Sequence, residues 1–308
     1  MSGHHRHHGA EAGDRRIWWA VFVNVLLTVA QIVGGIVSGS LSLIADALHN
    51  FSDAASLMIA YGARRIARRP ADDRMTFGYV RAEIIAALIN YTTLIVIGLY
   101  LVYEAAMRFI TPEPIEGWTV VIVAGIALAI DIVTAMLTYA MSKTSMNIRA
   151  AFLHNVADAL GSVGVIIAGT LVIMYDWIWI DPAITLLIAY YILWQAFAEI
   201  GGSIRVLMMG TPEDVDIRRI IGDLRSLDGV VDVHHVHLWA LDEGHNALEA
   251  HLVVGSSSLP NMAGVKRRAR KLLRERHGVG HSTIEIETPE DRCDDETKVV
   301  GHDVGSAP

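Results

Sequence analysis

The sequence SLSLIADALHNFSDAASL at residues 40–57 contains a central pattern that returns in RAAFLHNVADALGSVG at residues 149–164. Both stretches contain His-Asn-x-x-Asp-Ala inside a segment that is otherwise apolar, so a histidine precedes an aspartate by four residues in each. The residues concerned are His49 and Asp53 in the first copy, and His154 and Asp158 in the second. Side chains at this spacing lie on one face of an α-helix, so each helix is predicted to present an imidazole and a carboxylate together.

The composition is typical of a membrane protein. Of the 308 residues, 53% are hydrophobic and 19% are charged, and the mean hydropathy is +0.39. Soluble domains average about 25% charged residues. The net charge of −8 does not indicate a polyanionic partner. The single cysteine, Cys293, excludes an internal disulfide framework.

Six stretches have roughly the 20 apolar residues that a membrane-spanning helix needs. They are residues 17–37, 41–63, 84–103, 118–141, 150–175 and 182–206. Every second connection between the predicted spans is rich in cations. The positive-inside rule assigns these connections, and with them both termini, to the cytoplasm. The cations are Arg15, Arg16, Arg64, Arg65, Arg68, Arg69, Arg74, Arg81, Lys143 and Arg149.

The hydropathy pattern changes after Gly210 and predicts a small α+β domain. A helix at 214–227, strands at 230–241 and 247–254, a helix at 259–277 and a strand at 282–287 give the order αββαβ. The predicted organisation is a disordered histidine-containing tail, a six-helix membrane domain, a C-terminal metal-binding and dimerisation domain, and a second disordered tail. Their bounds are 1–13, 14–208, 209–288 and 289–308.

The two copies of the pattern are predicted to form one metal site. The second span descends toward the cytoplasm and the fifth ascends from it, which places Asp53 and Asp158 both about 12 Å from the inner boundary at about 1.5 Å per residue. A single such pair is more often structural, but two at one depth bring two carboxylates together, and a divalent cation cancels both charges. Two nitrogen and two oxygen ligands favour Zn²⁺, with Co²⁺ and Cd²⁺ also fitting.

The chain resembles the cation diffusion facilitators, and in particular their zinc/cobalt/cadmium-resistance branch. The motifs that carry the resemblance are the two stretches above, FGYVRAEIIAALIN at residues 77–90 and VHHVHLWAL at residues 233–241. The resemblance implies a homodimeric, proton-coupled metal exporter of the bacterial inner membrane. It also implies six transmembrane helices, a ferredoxin-like C-terminal domain, and a transport site at the same four residues that the helical spacing selects.

The resemblance further implies a regulatory Zn²⁺ site that stabilises the dimer through the C-terminal domain. Its matching positions are His234, His251, His281 and Glu287. Exposed histidines on strands are also common without a metal. Strand alternation predicts that His235 and His237 face away from His234, so the three cannot serve one centre.

Two further carboxylates lie within predicted spans. Asp46 precedes His49 by three residues and either supports the metal site, lines the ion path, or makes a structural hydrogen bond. Asp131 is interpreted as a neighbour that supports the ligands or as a proton relay, because an isolated charge at this depth is costly.

The predicted mechanism is alternating access, in which Zn²⁺ leaves the cytoplasm as protons enter. The alternative function is a membrane metal sensor without flux. An enzyme is not predicted, because four ligands would close the coordination sphere and no His-Glu-x-x-His motif is present. A nucleic-acid partner is not predicted either, because no aromatic residue interleaves the cations of the basic segment at 266–276.

Overall fold

The computed structural model describes residues 25–142, 146–242, 244–293 and 299–300. The helices are α1 (described part Val25–Ser38), α2 Leu41–Ala67, α3 Ala82–Ile110, α4 Gly117–Ser142, α5 Met146–Tyr175, α6 Ile180–Leu207, α7 Ile217–Arg225 and α8 Met262–His277. The strands are β1 Val230–Ala240, β2 Asn246–Val254 and β3 Val279–Glu287. The chain divides into two compact units. The membrane unit contains the described residues up to Gly62 and Ala86–Ile200, and the C-terminal unit contains Ala63–Ile85 and the described residues from Gly201 onward.

Within the described residues, four helices are long and apolar enough to cross a membrane. They are Ala82–Ile110, Gly117–Met136, Phe152–Tyr175 and Ile180–Leu207. Helix α2 has 27 residues, but the polar residues of the repeated pattern lower its hydropathy. The predicted first span begins at residue 17, and residues 17–24 lie outside the described residues. The protein is therefore an integral membrane protein with four clear apolar spans.

Small side chains form much of the contact surface between the membrane helices. The fully buried alanines of this core are Ala45, Ala105, Ala124, Ala189 and Ala196. Small residues let helix backbones approach closely, which matters in lipid because apolar side chains gain little by leaving it. Large side chains of the same helices, such as Leu187, Tyr190 and Phe197 on α6, are exposed, as expected of a surface that faces lipid.

The turn between α1 and α2 requires glycine. Gly39 has a φ of 72°, and a Cβ atom there would lie 2.6 Å from the Pro114 carbonyl oxygen. A larger residue would meet both a left-handed backbone conformation and a fixed backbone atom.

A buried carboxylate from α6 satisfies the first turn of α2. Asp181 is 1% exposed. It accepts hydrogen bonds from the hydroxyls of Ser40 and Ser42, both at 2.6 Å, and from the amides of Leu41 and Ser42 at 2.8 and 3.2 Å. The amides of a first helical turn lack partners within the helix, so Asp181 acts as an N-cap supplied by another helix. The Arg108 guanidinium lies 4.0 Å away and provides opposite charge.

The C-terminal unit has the predicted element order αββαβ. Strand β2 pairs antiparallel with β1 and parallel with β3, giving a small mixed sheet in the order β1-β2-β3. Helices α7 and α8 bury apolar side chains against this sheet, including Leu224 and Leu273. A short 3₁₀ turn, Ser256–Asn261, precedes α8. The more specific ferredoxin-like assignment stays a prediction.

We expect Asp181→Ala to lower the thermal stability of the purified protein in detergent. The substitution leaves buried hydroxyl and amide donors without an acceptor, at a cost of about 1–3 kcal/mol for each unsatisfied group. Glu199→Gln changes an exposed carboxyl group on the same helix and serves as the control, with little expected effect. An unchanged unfolding temperature for Asp181→Ala would contradict the capping role.

Candidate metal sites

Helices α2 and α5 bring the two copies of the repeated pattern together. His49 Nε2 lies 3.6 Å from Asp53 Oδ2 and 3.5 Å from Asp158 Oδ1. His154 Nε2 lies 3.2 Å from Asp53 Oδ2 and 3.5 Å from Asp158 Oδ2. We call these four side chains the membrane group. Each histidine therefore approaches the aspartate of its own helix and that of the other helix.

The four histidine–aspartate distances in the membrane group are close to the distance between two ligands of one tetrahedral Zn²⁺. Ligands about 2.0–2.1 Å from a tetrahedral Zn²⁺ lie about 3.3 Å from one another. The four nitrogen–oxygen distances span 3.2 to 3.6 Å. Donor atoms of His49, Asp53 and Asp158 all lie within 4.8 Å of one another. Asp158 faces His49 with Oδ1 and His154 with Oδ2, so a single ion would be bound by one of these two oxygens.

Several donor atoms of the membrane group are buried without a hydrogen-bond partner. They include both ring nitrogens of His49, Oδ2 of Asp53 and Oδ1 of Asp158. Buried polar atoms in folded proteins nearly always have partners, so these converging atoms call for a ligand. His49 is 7% exposed, whereas the His154 side chain is 38% exposed, which makes His154 the accessible side of the group. A divalent cation fits this donor set.

Asp46 lies beside the membrane group within a hydrogen-bonded network. Gln31 of α1 donates from Nε2 to Asp46 Oδ2 at 2.6 Å, and Asn50 donates to the Gln31 side-chain oxygen at 3.2 Å. Ser162 of α5 donates to Asp46 Oδ2 at 3.5 Å. Gly161 leaves room for this carboxyl group, because a Cβ atom at that position would lie 3.1 Å from Asp46 Oδ1. Asp46 therefore joins α1, α2 and α5.

Asp131 joins the same network through Ser162. The Ser162 hydroxyl lies 3.3 Å from Asp131 Oδ2 as well as near Asp46. Ser162 follows Asp158 by one helical turn on α5, so it lies on the face that carries the ligand candidate. The sequence reasoning missed Gln31 and Ser162 as partners of these aspartates. The spacing between Asp158 and Ser162 was a usable signal, whereas the Gln31 contact joins residues from different helices.

A second group of candidate ligands lies in the C-terminal unit. Glu287 reaches both predicted histidines, with His234 Nε2 3.2 Å from Oε2 and His251 Nδ1 2.6 Å from Oε1. Cys293 Sγ lies 3.2 Å from His234 Nε2 and 3.6 Å from His251 Nδ1. We call His234, His251, Glu287 and Cys293 the C-terminal group. Their donor atoms all lie within 4.8 Å of one another.

His281 does not join the C-terminal group, in contrast to the prediction. Strand β3 pairs in parallel with β2 so that Glu285 lies opposite His251 and His281 lies opposite Ala247. Four residues along a strand correspond to about 13 Å. The His281 ring instead contacts Phe77, with centroids 5.8 Å apart. The sequence reasoning missed Cys293, because it follows β3 in a segment that was predicted to be disordered.

A β-bulge changes the alternation of the histidines on β1. The register shifts between His234 and His237, and His235 has a φ of 50°. The His235 ring consequently stacks on His251, with centroids 4.6 Å apart and planes 16° from parallel. Strict alternation therefore fails at His235, because the bulge adds a residue to one strand and redirects its side chains. The donor atoms of His235 and His237 are still not part of the C-terminal group, as predicted for three histidines that cannot serve one centre.

Burial lowers the pKa of His234, although the Glu287 carboxylate acts in the opposite direction. A neutral imidazole has a lone pair for a metal, so this environment suits a ligand. Arg292 also lies close to the C-terminal group, where it pairs with Asp232 at 2.9 Å.

Comparison with known proteins identifies the family. Residues 17–208 match the cation efflux transmembrane domain, and residues 212–289 match the cytoplasmic domain of cation efflux proteins. The chain therefore belongs to the cation efflux, or cation diffusion facilitator, family, and its relatives agree with the zinc/cobalt/cadmium branch.

Three relatives illustrate the similarity. The chain is 36% identical over 288 residues to the cadmium, cobalt and zinc/H(+)-K(+) antiporter of Bacillus velezensis, covering 92% of each chain. It is 35% identical over 288 residues to the metal cation efflux system protein CzcD of Cupriavidus metallidurans, covering 93% of this chain and 90% of the relative. It is 37% identical over 231 residues to the zinc transporter ZitB of Escherichia coli, covering 74% of each.

We expect Ser162→Ala to weaken Zn²⁺ binding at the membrane group by about tenfold, because it removes a hydroxyl donor from the buried carboxyl groups of Asp46 and Asp131 beside the ligand candidates. The measurement is calorimetric titration of purified protein in a Glu287→Gln background, which removes a donor of the C-terminal group. Thr170→Ala is the matched control, because the Thr170 hydroxyl bonds only locally, to the Ile166 carbonyl of α5 at 2.7 Å. Equal affinities for the two variants would contradict the supporting role of Ser162.

Proposed function

We propose that the protein exports Zn²⁺, and also Cd²⁺ and Co²⁺, from the cytoplasm in exchange for protons. The observation that supports the proposal is that His49 of α2 and His154 of α5 each lie 3.2–3.6 Å from the carboxyl groups of both Asp53 and Asp158. The names of the relatives, which include a cadmium, cobalt and zinc antiporter, support the same class of substrate.

Charge balance explains why metal and protons would exchange. The carboxylates of Asp53 and Asp158 carry two negative charges, which one divalent cation cancels. When the cation leaves, protons on the imidazoles of His49 and His154 cancel the same charges. A protonated imidazole has no lone pair for a metal, so the two occupants exclude each other. In either case the group remains close to neutral inside the membrane, where net charge is costly.

Transport then requires the membrane group to open to each side in turn. Facing the cytoplasm, the group would release its protons and bind Zn²⁺. Facing outward, it would release Zn²⁺ and take up protons, so that the inward proton gradient drives export. Movement of α2 and α5 relative to their neighbours would switch the open side, in the manner of alternating access.

We further propose the arrangement in which this exchange operates. Six helices span the bacterial inner membrane, both termini lie in the cytoplasm, and a homodimer forms through the ferredoxin-like C-terminal domain. Regulatory metal binds that domain at His234, His251 and Glu287, which lie together, but not at His281. The dimerisation proposal is supported by the match of residues 212–289 to a domain model called ZT_dimer.

The alternative function, a membrane metal sensor, would use the same ligands without net flux. Both functions require binding at the membrane group, so a binding measurement cannot separate them. Flux into closed vesicles can, because only a transporter accumulates the ion on the far side.

We expect inverted membrane vesicles containing the protein to take up Zn²⁺, and to do so faster when the vesicle lumen is acidic. Asp158→Ala removes a ligand candidate and should reduce uptake to the level of vesicles without the protein. Glu199→Gln, which changes an exposed carboxyl group of α6, should transport at nearly the wild-type rate. The assay measures accumulated radioactive zinc over time.

Three outcomes separate the functions. Wild-type protein that binds Zn²⁺ but gives no uptake under any gradient would favour the sensor. Uptake that ignores the pH gradient would contradict proton coupling and leave export intact. Because one relative's name includes K⁺, a further arm replaces the pH gradient with a K⁺ gradient in the same vesicles, and uptake driven by K⁺ alone would contradict a purely proton-coupled exchange.

A further inference from the structure

The only cysteine of the chain lies beside two histidines and a glutamate that are distant from it in sequence. Cys293 Sγ is 3.2 Å from His234 Nε2 and 3.6 Å from His251 Nδ1. Nitrogen and sulfur ligands of one tetrahedral Zn²⁺ lie about 3.5 Å apart, given bond lengths of about 2.0–2.1 and 2.3 Å. The sulfur therefore lies where a fourth ligand is needed.

Two side chains of the C-terminal group, His234 and Glu287, are deeply buried and contain polar atoms without a hydrogen-bond partner. His234 is 1% exposed and Glu287 is 4% exposed. Glu287 Oε2 has no hydrogen-bond partner, although it lies 3.2 Å from His234 Nε2. Leaving such an atom unpaired is costly, so the geometry calls for a cation among these donors. The short contact of 2.6 Å between His251 and Glu287 is a hydrogen bond that a metal would replace.

The segment after β3 positions the cysteine. The Arg292 guanidinium pairs with Asp232 of β1 at 2.9 Å, and the Asp291 amide donates to the Thr288 hydroxyl at 3.1 Å. Farther along, the carbonyl oxygen of Val299 accepts a hydrogen bond from the Val236 amide at 3.0 Å. Among the described residues after β3, Arg292 and Val299 therefore both contact β1.

We propose that Cys293 is a thiolate ligand in the C-terminal group, which binds a soft divalent cation, Zn²⁺ or Cd²⁺. Binding fixes the C-terminal segment, meaning the described residues 288–293 and 299–300, on β1. The inference builds on the C-terminal metal site proposed above and is independent of transport. On binding, the S–H bond breaks, a sulfur–metal bond forms, and the proton passes to solvent. The thiolate and the Glu287 carboxylate together balance the charge of the ion.

A thiolate ligand also changes which metals the C-terminal group prefers. Sulfur ligands favour Cd²⁺ and Zn²⁺ over hard cations such as Mg²⁺ and Ca²⁺, which prefer oxygen. The membrane group has no sulfur ligand. The two groups are therefore expected to differ in their preference for Cd²⁺, with the C-terminal group binding it more tightly.

The first test uses the ultraviolet charge-transfer absorption of a cadmium–thiolate bond, measured on the full-length protein under reducing conditions. The chain has one cysteine, so any such band reports Cys293. We expect a band that saturates at one Cd²⁺ per chain in the wild type and in Asp158→Ala, is absent in Cys293→Ser, and is lost or shifted to much higher Cd²⁺ concentration in Glu287→Gln.

The outcomes distinguish this inference from the transport proposal. A wild-type protein that binds Cd²⁺ without the band would overturn the thiolate ligand, and so would a band of equal affinity in Glu287→Gln. Loss of the band in Asp158→Ala would also contradict an independent site. Because Asp158→Ala is expected to lack transport, a retained band in that variant supports the C-terminal site whatever the transport result.

The second test follows the C-terminal segment by hydrogen–deuterium exchange. Cd²⁺ should slow exchange in peptides that contain Cys293 and in those that contain the Val236 amide, which donates to Val299. Cys293→Ser should lose this protection. Protection that is equal in the wild type and Cys293→Ser, or absent from both, would contradict the proposal that the sulfur–metal bond fixes the segment.

Discussion

The carboxyl groups of Asp53 and Asp158 contact the same two imidazoles between α2 and α5, and the negative charge that they bring into the membrane is the constraint on which the rest depends. Two imidazoles complete the group, and they can carry protons or ligate a metal, but the same lone pair cannot do both. In the proposed exchange, the free-energy cost of charge within a membrane would link release of the metal to proton uptake. Such a link is what an exchanger needs and what a purely structural ion pair does not provide.

Helix α2 is held by polar contacts with three other helices. Asp181 of α6 satisfies its first turn, Gln31 of α1 donates to its Asp46, and Ser162 of α5 contacts the same carboxylate. Hydrogen bonds away from water are strong because little solvent competes for them. These contacts define the position of His49 and Asp53 relative to α5. A change in any one of them offers a physical way to alter the distance between the two halves of the membrane group.

The sequence was most informative where the relevant interactions are local. Residues four apart share a helix face, so the spacing alone predicted the grouping of His49 with Asp53 and of His154 with Asp158. The element order of the C-terminal unit also followed from local hydrophobic patterns. In contrast, His281 was assigned to a group that it does not join, because the register between parallel strands depends on contacts across the sheet. His235 was misplaced because a bulge cannot be read from strict alternation.

Cys293 illustrates the remaining gap between sequence and structure. The segment that carries it lacks an apolar period, so no regular element was predicted there. Its position depends on the ion pair between Arg292 and Asp232, which are 60 residues apart in sequence. Gln31 and Ser162 were missed as partners of Asp46 for a similar reason, since their contacts join different helices. Local pattern predicts which side chains share a face, whereas the partner of that face is decided by tertiary packing.

The most direct measurement of the central claim is the position of zinc in a crystal of the full-length protein, located by anomalous scattering at the zinc absorption edge. We expect a peak between α2 and α5, with the Nε2 atoms of His49 and His154 and one oxygen each of Asp53 and Asp158 about 2.0–2.2 Å away. A zinc ion in the membrane unit that is bound by ligands from only one of these helices, or at another place, would contradict it.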